Sequence, residues 1–83
     1  MTVHIKLFPI AGICNQSQEM ELALEEGKLG EALTKLYERL GVDLDVKLEK
    51  LMLLHNGRAL DMRKNVVFQD GDRLWLLPLL SGG

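Results

Sequence analysis

Apolar and polar residues alternate at two places in the first quarter of the chain. Val3, Ile5 and Leu7 are interleaved with His4, Lys6 and Phe8, and Met20, Leu22 and Leu24 with Glu19, Glu21 and Ala23. Period two is the mark of a strand with one buried face. Two strands are therefore predicted, joined by the irregular run PIAGICNQSQ and closed by the glycine of Glu25-Glu26-Gly27. The period then changes. Leu29, Ala32, Leu33, Leu36, Tyr37 and Leu40 fall at helical spacing and form one apolar stripe. Gly41 stands where a left-handed C′ residue would stop that helix. The helix start is weakly signalled, since Gly27 is a middling cap and Gly30 lowers helix propensity. Val42 to Lys50 reads as a connection. Leu51 to Leu54 is an apolar run of strand length, Asn56-Gly57 is tight-turn chemistry, and Arg58 to Leu60 can pair back. Asp70-Gly71-Asp72 is a further turn that launches Arg73 to Leu79 as the last strand, with Pro78, which lacks an N–H, near the end of the ladder.

The element order is thus β-β-α-β-(β)-β. A starting hairpin followed by a crossover helix gives a mixed four- to five-stranded sheet, its first and last strands near the centre, covered on one face by one main helix. That is an α+β fold, the β-grasp or ubiquitin-like roll. The reading assigns residues 1–78 to this domain and residues 79–83 to a flexible diglycine tail.

Composition narrows the function. At 83 residues, 47% hydrophobic and 27% charged, the chain has the usage of one ordinary globular domain. Cys14 is the only cysteine, so the core must rest on packing, and a lone thiol suits a reducing, cytoplasmic setting. The stretch Leu7–Cys14 is too short and too broken by Pro9 for a signal peptide. The run Leu74–Leu80 is far below the ~20 residues of a membrane helix. A net charge of −2, with no basic cluster and few aromatics, argues against nucleic acid. His4 and His55 lie far apart without ligand spacing, which argues against a metal; they read as exposed or half-buried strand histidines.

No catalytic constellation is present. Thr2, Ser17, Thr34 and Ser81 have no His and Asp at suggestive spacing, and nothing sets a base beside Cys14, which reads as a structural or tolerated thiol. The run GKLGEALTKL lacks the spacing of a phosphate-binding loop. Asp70 and Asp72 are paired carboxylates in a turn, where side-chain to backbone bonds are the usual role. The chain is not expected to be an enzyme on its own. Two features remain. If Leu74 and Leu76 face the helix, Trp75 and Leu77 face away, and Phe8 shares their side; one helix covers one face, so Phe8, Trp75 and Leu77 are predicted to form an exposed apolar patch for a protein partner. The other feature is PLLSGG. Leu79, Leu80, Ser81 and Gly82 can thread a narrow channel, since glycine has no Cβ, and Gly83 would end in a carboxylate ionised at neutral pH. Such a carboxylate can attack the α-phosphate of ATP, and the acyl-adenylate can be displaced by sulfur or nitrogen. A frayed terminus is the plain alternative.

With HNG at 55–57, DGD at 70–72, a hydrophobic strand, Pro78 and a final SGG, the chain resembles the small ubiquitin-like sulfur carriers of the MoaD/ThiS type. The resemblance implies that an E1-like adenylating enzyme uses ATP to activate the Gly83 carboxylate, which becomes a thiocarboxylate. No cofactor is bound by the carrier itself. The sulfur passes to an acceptor enzyme such as the molybdopterin synthase catalytic subunit, with the tail inserted in it. Phe8 and Leu77 match apolar interface positions of the family. Molybdopterin carriers usually continue with an Ala and an Arg-Glu after the Phe, whereas this chain continues PIAGICNQSQ. Its length suits that branch better than the shorter thiamine carriers. Molybdopterin biosynthesis is the first expectation; thiamine, cysteine or another thio-metabolite, a protein modifier conjugated through Gly83, and a plain interaction domain are the alternatives.

Overall fold

The structure, a computed structural model, describes residues 1–10, 14–41, 50–61 and 64–79. Its elements are β1 (Thr2–Leu7), β2 (Gln18–Ala23), α1 (Leu29–Leu40), β3 (Leu51–His55), β4 (Arg58–Ala59) and β5 (Arg73–Pro78). They form one mixed sheet in the order β2-β1-β5-β3-β4. β1 and β2 are antiparallel, as are β3 and β5 and β3 and β4, while β1 and β5 run parallel in the interior of the sheet. This is the α+β arrangement read from the element order, with the first and last strands adjacent.

Parity decides which side chains are buried. In β1, Val3, Ile5 and Leu7 are buried, and so are Leu22 of β2, Leu51 and Leu53 of β3, and Leu74 and Leu76 of β5. They meet Ala32, Leu33 and Leu36 of α1, with Leu29 and Leu40 packed at the margin. Fully burying one such aliphatic side chain stabilises by ~1.5–3 kcal/mol, so this single layer supplies the stability that a chain without disulfides needs. Tyr37, assigned to the helix stripe from its spacing, is instead 47% exposed. It lies on the flank of the stripe, and its backbone carbonyl accepts the N–H of Gly41 at 2.7 Å. Gly41 has φ 70°, the left-handed cap expected of it.

The start of α1 is held by Glu31 rather than by the side chain of its N-cap. Lys28 is the N-cap and makes no side-chain cap bond. The carboxylate of Glu31 reaches back instead to accept the N–H groups of Glu25, Glu26 and Gly27 at 2.6, 3.0 and 3.0 Å. These bonds, the one from Glu25 foremost, lower its pKa. Gly27 has φ 74°, and a Cβ there would lie 2.8 Å from the carbonyl oxygen of Phe68. Phe68 N–H donates to the Gly27 carbonyl at 2.6 Å, and Lys28 bridges Val67. That corner inserts Phe68, 1% exposed, into the core. The sequence reading placed no core residue between β4 and β5.

The predicted connection Val42–Lys50 lies outside the described residues except for Lys50. β5 stops at Pro78, one residue before the expected end, although Leu79 N–H still donates to the Lys50 carbonyl at 2.9 Å. β4 is likewise shorter than Arg58–Leu60, with Leu60 adding one bond to Leu53.

Candidate functional site

The face of the sheet turned away from α1 carries the other parity. β1 presents His4 and Lys6, with Phe8 just beyond; β5 presents Arg73, Trp75 and Leu77; β3 presents Met52 and Leu54. Among the described residues no helix lies over this face. Phe8 and Trp75 come together on this face. Their rings are 5.5 Å apart, tilted by 58°, a geometry aromatic pairs favour. Parallel pairing of β1 with β5 brings them there, since Lys6 is opposite Trp75 and Phe8 N–H donates to the Leu76 carbonyl at 3.0 Å. Trp75 is 36% exposed, and Phe8 and Leu77 are half-buried.

Two members of this patch were not anticipated. Met52 is directly opposite Leu77 and Leu54 opposite Trp75, so both extend the apolar surface across β3. Met52 is 39% exposed. The run Leu51–Leu54 is apolar on both parities and carries no periodic signal; the pairing register was needed to assign its outer half. Lys6 is the third addition. Its ammonium lies 5.0 Å from the Phe8 ring centroid and 5.3 Å from that of Trp75, over both aromatic faces.

The entry of β5 into the sheet is set by the Asp70-Gly71-Asp72 turn. Asp70 accepts the Thr2 N–H at 2.7 Å, which ties the turn to β1. Asp72 accepts the Gln69 N–H at 2.9 Å, the His55 Nε2 proton at 2.7 Å and the Asn56 side-chain amide at 3.0 Å. The same Asn56 side chain accepts the Arg73 N–H at 2.8 Å. These bonds, led by that from Gln69 and then that from His55, hold the Asp72 pKa at about 2. The carboxylates therefore do the structural work expected of a turn. His55, edge-on to Phe68 with centroids 4.8 Å apart, belongs to this clasp. His4 sits on the outer face 3.4 Å from Glu21.

Of the predicted tail-threading residues, Leu79 is described: it is 47% exposed and leaves the sheet beside Lys50. Leu80, Ser81, Gly82 and Gly83 lie outside the described residues. Cys14 is half-buried near this end of β1, where it exchanges backbone bonds with Ile10 and its thiol donates to the Phe8 carbonyl at 3.2 Å. Among the described residues, no helix is long and apolar enough to cross a membrane.

Among the described residues, five strands in this mixed order, one helix on one face and an apolar opposite face define a β-grasp domain of the ubiquitin-like kind, and the chain resembles the MoaD/ThiS-type β-grasp proteins. Among solved structures it is similar to SAMP1, the small archaeal modifier protein 1 of Haloferax volcanii, with a TM-score of 0.75 and 22% identity over all of both chains. It is also similar to a chain in the complex of subunits 1 and 2 of the molybdopterin-converting factor from Helicobacter pylori 26695, with a TM-score of 0.64 and 26% identity over all of both chains. A ubiquitin-like protein from Caldiarchaeum subterraneum matches 99% of this chain and 100% of its own, with a TM-score of 0.52 and 22% identity. No protein-family model and no curated protein matches the sequence.

Proposed function

We propose that the chain is a ubiquitin-like sulfur carrier that docks partner enzymes through the outer sheet face and delivers the Gly83 carboxylate to them. One observation carries this reading: the Phe8–Trp75 pair sits on β1 and β5 close to where β5 ends at Pro78 and the chain goes on through exposed Leu79. A partner seated on the patch would have the tail at its own active site. The chemistry follows from the terminal group. The carboxylate attacks the α-phosphate of ATP on an E1-like enzyme, pyrophosphate leaves, and a sulfur nucleophile displaces AMP to give a thiocarboxylate. Because that reaction occurs in the activating enzyme, the chain needs no catalytic side chain of its own. The likeness to a chain of the molybdopterin-converting factor complex favours molybdopterin biosynthesis as the destination of the sulfur.

The second reading is a protein modifier, in which an amine of a target displaces AMP and Gly83 ends in an amide. The likeness to a small archaeal modifier protein favours it. Intact mass after incubation with ATP, an activating enzyme and a sulfur source separates the two. A gain equal to one oxygen replaced by sulfur is the expected result, and it should vanish when Gly83 is deleted. Conjugates of higher mass in cell extract would favour the modifier. Unchanged mass with no conjugate would defeat both.

A further inference from the structure

The outer face has a charge at the edge of its apolar patch, and the position of that charge restricts what can bind. Lys6 is directly opposite Glu19 on β2 and opposite Trp75 on β5. A cross-strand Lys–Glu pair would ordinarily close. Among the described residues Lys6 instead makes no ion pair; its ammonium lies over the Phe8 and Trp75 rings. A ring face attracts a cation through its quadrupole but carries no net charge to neutralise it. In the free chain water completes the solvation of the half-buried Lys6. Once a partner covers Phe8 and Trp75, that water is expelled, and an ammonium buried without a counter-charge is strongly unfavourable.

We infer that Lys6 is the specificity determinant of this face, and that the partner it admits presents a carboxylate to the Lys6 ammonium from within an apolar surface. The inference rests on the docking reading of the same face. A wholly apolar partner would bury the ammonium unpaired and be rejected, which is discrimination by a penalty on the wrong partner. Glu19 and Glu21 restrict the direction of approach. They line a groove of ≈ 540 Å³ with His4, Lys6, Arg73 and Trp75 on the β2 side of the patch. An incoming carboxylate meets Glu19, directly opposite Lys6, on the β2 side and finds its apolar surround on the other, at Leu54, Leu77 and Met52, while Arg73, opposite His4, is a second cation in the groove.

The test is the affinity of the full chain for the activating enzyme that thiocarboxylates it, measured by calorimetry over a series of salt concentrations. Lys6→Glu is expected to weaken binding by about thirtyfold or more. Lys6→Met, which keeps the apolar stem, should also weaken it and flatten the salt dependence. Lys6→Arg keeps a cation that stacks on rings and should restore wild-type behaviour within about threefold. Thermal unfolding of each variant checks that the fold is intact. Wild-type affinity and salt slope in Lys6→Glu or Lys6→Met would overturn the inference while leaving the docking reading standing. Absence of binding by the wild type would bring down both. Dimerisation of the chain alone in sedimentation, abolished by Lys6→Glu, would assign the face to a second copy and overturn the inference as well.

Discussion

The two faces of the sheet use the same strands for opposite purposes, and β5 shows the contrast within six residues. Leu74 and Leu76 are 0% exposed beneath α1. Their neighbours Trp75 and Leu77 point the other way, toward a surface that no described element covers. The inner set is close-packed, so its loss leaves a void that the surroundings cannot fill. The outer set is partly wet already and contributes little that water does not replace. Among the described residues a single helix covers one face, and no described element covers the other.

The sharpest way to break this contrast is to exchange the roles of adjacent residues. Leu76→Ala should cost about 2–5 kcal/mol in chemical denaturation; a loss below about 1 kcal/mol would mean that the inner face is not the core. Next is the clasp that sets β5 between its neighbours. Asp72 has its folded pKa lowered to about 2 from 3.8, so in that window the unfolded chain binds more protons and stability rises with pH. Its contribution is complete above about pH 4 and is lost as pH falls toward 2. Asp72→Asn should cost about 1–2 kcal/mol at neutral pH and remove this part of the acid slope, which denaturation midpoints between pH 2 and 5 would reveal. An unchanged slope would leave the His55, Asn56 and Gln69 bonds without energetic consequence. The smallest stability effect belongs to the outer face. Leu77→Glu should change folding stability by about 1 kcal/mol or less while sharply weakening acceptor binding. A large loss of stability would transfer Leu77 to the core.

Periodicity carried most of the fold and half of the outer apolar patch. β1, β2 and α1 each carry an apolar face, and period two in the strands with period 3.6 in the helix was enough to place Val3, Leu22 and Leu36 inside and Phe8 and Trp75 outside. Three things escaped for distinct reasons. Phe68 sits in a segment without regular structure and enters the core because two backbone contacts at Gly27 and Lys28 hold it there; no local pattern encodes such a long-range pair. Met52 and Leu54 lie in a run that is apolar on both sides, where period two has no contrast to report. Lys6 was counted simply as the polar partner of Ile5 and Leu7. Its place over two rings depends on a parallel pairing between strands from opposite ends of the chain. Glu31 did leave a local trace, being the third helical residue after Lys28, where a carboxylate often turns back to free amides.

That same parallel pairing has a consequence for how the protein is made. Phe8 leaves the ribosome well before Trp75, so the patch that joins them cannot exist until β5 has been synthesised. Loop closure from β1 to β5 must precede it, a non-local and slow kind of contact. Fragments that stop before β5 lack the Phe8–Trp75 pair altogether. Under the proposed docking, a partner that grips Phe8 and Trp75 together would select molecules in which β5 has already folded against β1.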